Sequence, residues 1–131
     1  MQAVSKPEPP DTDLSRPYWQ AARRGQLVLQ RCSQCGQIRH YPRLLCHVCY
    51  SRECEFVPAS GQGRVHSWTI THHVFHPAFA LEVPYVLVTV DLHEGVRALG
   101  RWDGAELALG LPVQAYFALD QATPELRFRP A

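Results

Sequence analysis

Two C-x-x-C pairs constrain this chain more than any other feature of its sequence. Cys32 and Cys35 form the first pair, Cys46 and Cys49 form the second, and ten residues separate the pairs. This spacing indicates a tetrahedral thiolate site, because a two-residue gap lets both sulfurs of a turn reach one ion about 2.3 Å away. Four cysteine ligands leave no open coordination position, so the sequence predicts a structural metal ion. Zinc is favoured over a rubredoxin-like iron, which would use the same four ligands.

The segment from residue 32 to residue 55 is predicted to need that ion in order to fold. It has few large apolar residues, and metal binding supplies about 10–16 kcal/mol in zinc-finger peptides. Gly36 follows the first pair, where a tight turn favours a positive φ angle. Tyr50 stands at the equivalent place in the second pair, and we note it as a departure from the usual pattern. The fifth cysteine, Cys54, is predicted to be a small buried apolar side chain.

We call the segment over residues 32–55 the ribbon. Before it in the sequence, a tail and one short helix are predicted. Residues 1–13 contain three of the eleven prolines and short polar residues, so they are expected to form a flexible tail. Residues 14–31 are predicted to contain a helix over about 16–24 and a strand that leads into the ribbon. Ser15 is placed to begin the helix and Gly25 to end it.

The remainder of the chain, residues 56–131, has the period-two pattern of β-strands. Apolar and other residues alternate over 86–92 and 113–119, and a longer strand is expected over 64–75. About five strands with glycine-containing turns favour a small closed barrel of the OB type. The predicted fold is therefore mostly β, with an N-terminal helix, a rubredoxin-like zinc ribbon and a five-stranded OB-fold barrel.

Length and charge restrict the function. A chain of 131 residues is too short for a large enzyme core with its own deep pocket, and no stretch is long and apolar enough to span a membrane. The N-terminus lacks a secretory pattern, so a cytoplasmic protein is expected. The net charge of +1 combines +7 over residues 14–52 with −4 over residues 53–131. The basic half is therefore expected to face something anionic.

The order of these features resembles a known family. It closely resembles the zinc-ribbon plus OB-fold family of acyl-CoA-associated proteins that was first described as a domain of unknown function, and the resemblance covers about residues 14–129. The motifs that carry it, besides the two cysteine pairs, are Tyr18-Trp19, Ser60-Gly61-x-Gly63-x-Val65-x-Ser67-Trp68, Pro84-Tyr85-Val86 and Glu94-Gly95-Val96.

That resemblance implies a non-catalytic scaffold subunit in a hetero-oligomer. Its partner would be a thiolase-superfamily enzyme, such as a thiolase, a sterol-carrier-type thiolase, an acyltransferase or a retro-aldolase of steroid side-chain degradation. The barrel would help to bind the acyl-CoA substrate. Arginine suits bidentate contacts with phosphate, and an exposed apolar loop marks an interaction surface. The candidate residues for contact with CoA or the partner are Arg23, Arg24, Arg31, Arg43, Trp68 and Phe79.

Two other classes of function remain open from the residues alone. OB folds and zinc ribbons also bind single-stranded nucleic acid, but the predicted barrel is net acidic and the arginines lie outside it, which disfavours this alternative. A self-sufficient enzyme would need a redox-active C-x-x-C or a lyase site. A metal that occupies both thiolate pairs opposes redox chemistry, and histidines without a partner acid offer no clear catalytic set. The chain is not expected to be an enzyme by itself.

Overall fold

The computed structural model describes residues 4–131, so the first three residues of the predicted tail lie outside it. Residues 4–131 form one α-helix, eight strands and a single 3₁₀ turn at Pro77–Phe79. The elements in chain order are α1 (Arg16–Arg23), β1 (Val28–Cys32), β2 (Ile38–Arg39), β3 (Cys54–Pro58), β4 (Gln62–Thr71), β5 (Tyr85–Leu92), β6 (Arg97–Trp102), β7 (Pro112–Ala118) and β8 (Glu125–Pro130).

Helix α1 lies where the sequence predicts it. It begins after Ser15, and the chain leaves it through Gly25, whose φ angle of 76° suits a residue without a side chain. Tyr18, Ala21 and Ala22 are buried in the core. An eight-residue helix is too short to be stable by itself in water, so this docking holds it in place.

The ribbon is built on a three-stranded antiparallel sheet. Strand β1 lies at its centre, between the short β2 and the longer β3. Cys32 ends β1 and pairs directly with Cys54, the first residue of β3. The first cysteine pair therefore begins at one end of this sheet, and β3 leads the chain from that end towards the barrel.

The barrel is closed by five strands in the order β4-β5-β6-β8-β7. All neighbours are antiparallel except β6 and β8. Its interior holds a compact apolar core that includes Val88, Val90 and Phe128, each fully buried. Gly100 makes room for this core, since a Cβ at that position would lie 2.7 Å from the Phe128 ring. The predicted mostly-β fold with a helix, a ribbon and an OB-type barrel is confirmed.

Strand β4 differs from its prediction in extent and in register. It ends at Thr71, which pairs with Tyr85 at the start of β5, so residues 72–75 have no strand to pair with and they turn away. A bulge between Val65 and Ser67 also shifts the alternation. The predicted strand over 64–75 therefore begins two residues late and extends four residues too far.

The described part of the tail, residues 4–13, contacts the barrel through Lys6. Residues 4–13 contain no buried side chain, but Lys6 is half-buried against the barrel. Its Nζ lies 3.0 Å from Glu82 Oε2 and 3.4 Å from Glu125 Oε2, and it stands 5.0 Å from the centre of the Phe79 ring. The ion pairs of Lys6 thus attach the tail to the barrel beside the 3₁₀ turn.

Candidate metal centre and neighbouring groove

The four predicted cysteines converge at the tip of the ribbon. Their Sγ atoms all lie within 4.8 Å of one another, with Cys32 and Cys49 3.5 Å apart and Cys35 and Cys46 3.5 Å apart. Four sulfurs at tetrahedral positions 2.3 Å from a common ion would be roughly 3.8 Å apart. The set therefore fits one tetrahedral ion. Cys32 and Cys46 are buried, whereas Cys35 and Cys49 are exposed.

The two cysteine turns have the same backbone structure. Gly36 N–H donates to the Cys32 carbonyl at 2.9 Å, and Tyr50 N–H donates to the Cys46 carbonyl at 2.9 Å. Cys32 N–H donates to the Gln37 carbonyl, and Cys46 N–H donates to the Ser51 carbonyl in the matching position. The second turn, which has a tyrosine where the first has a glycine, therefore makes the same two backbone hydrogen bonds as the first.

Backbone amides around the sulfurs favour the thiolate form that a metal requires. The amide of Cys35 lowers the pKa of the Cys32 thiol to about 6, against an opposing effect of burial. The amides of Cys49 and Val48 likewise lower the pKa of Cys46, and Val48 N–H lies 3.4 Å from its Sγ. The amides of Gln37 and Ser51 act in the same direction on Cys35 and Cys49, but burial and the neighbouring sulfurs outweigh them and raise the pKa of both thiols. Four clustered sulfurs, each with a backbone amide donor, are a donor set suited to metal binding.

A buried polar network behind β1, which the sequence did not indicate, supports the ribbon. Gln30 is fully buried, and its Oε1 accepts from Arg39 Nε at 2.6 Å and from the Arg43 backbone N–H at 2.7 Å. Its Nε2 donates to Cys54 Sγ at 3.2 Å. Cys54 is thus half-buried and engaged as a hydrogen-bond acceptor, and it is not among the clustered thiols. The only sequence signal for this network was a glutamine on a strand whose other buried residues are apolar.

The four candidate arginines do not converge on one site. Arg23 and Arg24 lie at the end of α1, Arg31 lies on β1, and Arg43 lies in the loop between the cysteine pairs. All four are exposed. Arg31 faces Glu55 at 3.7 Å, and Arg24 donates to the Gln20 carbonyl at the helix end.

A groove runs between the helix, the ribbon and the outer face of the barrel. It encloses a volume of about 1050 Å³. Tyr41 of the ribbon contributes one wall, and its hydroxyl accepts from the Leu99 backbone N–H of β6 at 3.1 Å. This bond joins the ribbon to the barrel at the groove. The apolar residues that line it include Leu14, Trp19, Tyr41, Phe79, Leu87 and Leu99.

One end of the groove carries a compact set of charges. Arg101 forms an ion pair with Glu82 and lies 3.7 Å from Glu125, and its guanidinium covers the Tyr85 ring at 4.8 Å. Burial alone would raise the pKa of Glu82, but hydrogen bonds from Lys6 and Arg101 outweigh it and hold the pKa below its ordinary value. Arg101, which sequence reasoning missed, is the one arginine among the described residues that lines the groove.

The two aromatic candidates occupy different places. Phe79 lies in the 3₁₀ turn, 5.9 Å from the Tyr85 ring, and lines the groove. Trp68 lies on β4, opposite the buried Val88 of β5, and does not line the groove. Phe79 therefore belongs with the groove, whereas Trp68 lies outside it on β4.

The expectation that the histidines have no partner acid is wrong for His66. His66 has a partner acid, because its Nδ1 lies 3.1 Å from Asp91 Oδ2. Arg97 Nε donates to the other oxygen of Asp91 at 2.9 Å and, with His66, lowers the pKa of that carboxyl. His72 lies beyond the end of β4 at Thr71, so it does not share a strand face with His66.

A closed barrel joined to a four-cysteine ribbon defines a zinc-ribbon and OB-fold protein. Residues 19–55 match the family described as the ChsH2 rubredoxin-like zinc ribbon domain, and residues 56–118 match the family described as the ChsH2 C-terminal OB-fold domain. The chain belongs to this ChsH2 family, also termed DUF35. The resemblance proposed from its motifs is thereby confirmed.

Three relatives place the chain within the family. A solved chain from the Ltp2–ChsH2(DUF35) aldolase is 35% identical, with a TM-score of 0.84 over 94% of this chain and 98% of that one. A probable enoyl-CoA hydratase alpha subunit of Thermomonospora curvata is 39% identical over 93% of this chain. The benzoylsuccinyl-CoA thiolase subunit BbsA of Geobacter metallireducens is 34% identical over 56% of this chain. The chain spans only 39% and 48% of the lengths of these last two proteins.

Among residues 4–131, no helix has the length and apolar character needed to cross a membrane.

Proposed function

We propose that this chain is a non-catalytic scaffold subunit that binds a thiolase-superfamily enzyme and helps to bind its acyl-CoA substrate. The observation that carries the proposal is the match to the aldolase chain, which extends over nearly the whole of both chains and includes ribbon, helix and barrel together. The relative from a benzoylsuccinyl-CoA thiolase supports a thiolase-like partner.

The acyl-CoA role is supported by the groove. Its volume of about 1050 Å³ reaches the upper end of the range for small-molecule sites. Apolar side chains such as Leu87 and Leu99 suit an acyl chain. Lys6 and Arg101 at one end are each paired with Glu82 and Glu125, so these four side chains carry no net charge. The support for the groove therefore comes from its apolar lining.

The ion that we assign to the four cysteines is zinc, in a structural role. A Cys₄ set holds zinc in structural ribbons and leaves no coordination position open for a substrate. The ion would fix the ribbon, and through Tyr41 the ribbon would fix one wall of the groove. Metal binding and groove shape are thus linked in this proposal.

Arg23, Arg24 and Arg43 are proposed to face the partner subunit. They are exposed, they lie outside the groove, and they belong to the basic half of the chain. Arg31 contributes less free charge because Glu55 lies beside it.

The groove is tested by calorimetry with CoA and with octanoyl-CoA as probes. Leu99→Trp would fill the groove without removing a hydrogen bond, because Leu99 contributes only its backbone N–H to Tyr41. We expect this variant to lose octanoyl-CoA binding at least about tenfold, which corresponds to 1.4 kcal/mol. Leu109→Trp, at an exposed position that does not line the groove, is the matched control. Equal binding by both variants would overturn the groove assignment.

The partner is tested by co-expression with thiolase-superfamily proteins from the same genome. We expect one of them to elute with this chain in size-exclusion chromatography and to lose activity or stability when expressed without it. Charge reversal at Arg23 and Arg24 should weaken that complex. Elution of this chain apart from every such protein would contradict the scaffold role.

A further inference from the structure

Strand β4 has an edge that no strand among residues 4–131 covers. Its pairing with β5 runs from Gly63 to Thr71, but its pairing with β7 stops at Arg64. Backbone bonds from Val65 to residues 110 and 111 close the barrel just beyond that point. We call the remaining stretch, residues 66–71, the free edge of β4. One row of its backbone N–H and C=O groups faces away from β5.

The free edge is also exposed on both of its faces. Residues 66–70 are all exposed, although Trp68 and Ile70 pair with barrel residues of β5 and point in the direction of the barrel interior. The strand therefore extends beyond the packed core and carries apolar side chains on one face and Ser67, Thr69 and Thr71 on the other.

Proteins usually protect such an edge with a lysine, a proline or an inward-pointing charge. Residues 66–71 contain no proline, no lysine and no acid. An exposed edge of β-favouring residues without lysine, proline or acid is a template for another strand, because its unpaired backbone groups gain hydrogen bonds when a strand is added.

We propose that the free edge of β4 binds the same edge of a second copy of this chain, as an antiparallel, two-fold symmetric pair of strands. The sequence of the edge is complementary to itself in a register centred on Thr69. In that register Trp68 lies opposite Ile70 of the second copy, Ser67 lies opposite Thr71, and Thr69 lies opposite its own counterpart.

Each of these pairs is favourable. A two-fold axis perpendicular to the sheet keeps each face on its own side, so apolar residues meet apolar residues and hydroxyl residues meet hydroxyl residues. Aromatic pairs with β-branched residues, and threonine pairs, stabilise adjacent antiparallel strands, whereas like charges placed opposite each other destabilise them. An isologous contact of this kind closes on itself and makes a dimer rather than a fibre.

The test uses two variants at the centre of the register. Thr69→Lys places two lysines opposite each other across the axis, and Thr69→Glu places two carboxylates there. We expect the wild-type chain to have twice its 14.8 kDa mass by light scattering at high concentration. Each variant alone should raise the dimer dissociation constant at least about tenfold. A mixture of the two variants should dimerise again, since lysine then faces glutamate.

Gln20→Lys, an exposed position on α1, is the control for an added charge. Thermal unfolding checks that each variant is folded, and hydrogen exchange should show amides 67–71 protected in the wild-type dimer but not in either variant alone. The proposal is overturned by a wild-type chain that stays monomeric at every concentration, by a dimer that Thr69→Lys leaves intact, or by mixed variants that do not reassociate. The proposal is also overturned if the chain is monomeric and amides 67–71 become protected from exchange only when a different protein is bound.

Discussion

Tyr50 adopts the same left-handed backbone conformation as Gly36, with a φ angle of 61° against 79°. The two residues occupy equivalent places after the second and the first cysteine pair, and both donate to the carbonyl of the leading cysteine. For a residue with a Cβ this conformation costs about 1–2 kcal/mol. The second turn therefore retains the geometry of a glycine turn at some cost in stability.

Tyr50→Gly should stabilise the metal-bound ribbon by about 0.5–1 kcal/mol. Relief of the left-handed strain exceeds the extra backbone entropy that glycine loses on folding. The exposed ring, with 75% of its surface accessible, gives up little packing. The midpoint of thermal unfolding with metal bound measures the effect, and Gly36→Ala should move that midpoint in the opposite direction. A fall in stability for Tyr50→Gly would show that the ring makes contacts that outweigh the strain.

Cys46→Ser should abolish stoichiometric metal binding, whereas Cys54→Ser should retain it. Only the first of these cysteines belongs to the cluster of four sulfurs. A serine at position 54 can still accept the hydrogen bond from Gln30, so little else changes there. Elemental analysis after purification should give one zinc per chain for the wild type and for Cys54→Ser. Loss of metal from Cys54→Ser as well would contradict the ligand assignment, and iron in place of zinc would correct the identity of the ion.

Patterns that depend on local spacing predicted most of the fold. The C-x-x-C pairs located the ribbon, Ser15 and Gly25 bounded the helix, and alternating residues located the barrel strands. Strand β4 was predicted too long, because the residues beyond Thr71 keep a β-favouring composition but have no neighbouring strand.

The contacts that form the groove and the buried network could not be predicted in the same way. Arg101 meets Glu82 only because β6 and the loop before β5 come together in space. Gln30 meets Arg39 and the backbone of Arg43 only after the ribbon has folded back on β1. Such pairs depend on tertiary register, which a single sequence does not encode in any local pattern.

Gln30→Leu should destabilise the ribbon by about 3–5 kcal/mol. Leucine has a similar size, but it leaves Arg39 Nε and the Arg43 N–H without the oxygen that they share. Arg39 is 3% exposed, so its charge would remain buried with fewer partners. Urea unfolding measures the loss, and Gln20→Leu on the exposed side of α1 is the control for the same change of residue type. A loss below about 1 kcal/mol would indicate that water replaces the amide oxygen.

The stability of the protein should fall as the pH drops from about 6.5 towards 4, in part because of His40. Both ring nitrogens of His40 are buried without a hydrogen-bond partner among the described residues, and burial lowers its pKa from the ordinary 6.5 to about 4. The unfolded chain takes up a proton near pH 6.5, whereas the folded chain does not until about pH 4, so acid favours the unfolded state over that interval. At pH 5.5 this difference amounts to about 1.4 kcal/mol.

The variant His40→Phe keeps an aromatic ring beside Tyr18 and Tyr41 but cannot take up a proton. Between pH 7.5 and pH 5.5 its free energy of unfolding should therefore fall by about 1.4 kcal/mol less than that of the wild type. Urea unfolding at the two pH values measures it, with the exposed His93→Gln as control. Because both proteins contain the same four cysteines, acid release of the metal affects both and cancels in the comparison. Parallel pH profiles for the wild type and His40→Phe would show that His40 is protonated equally well in the folded chain.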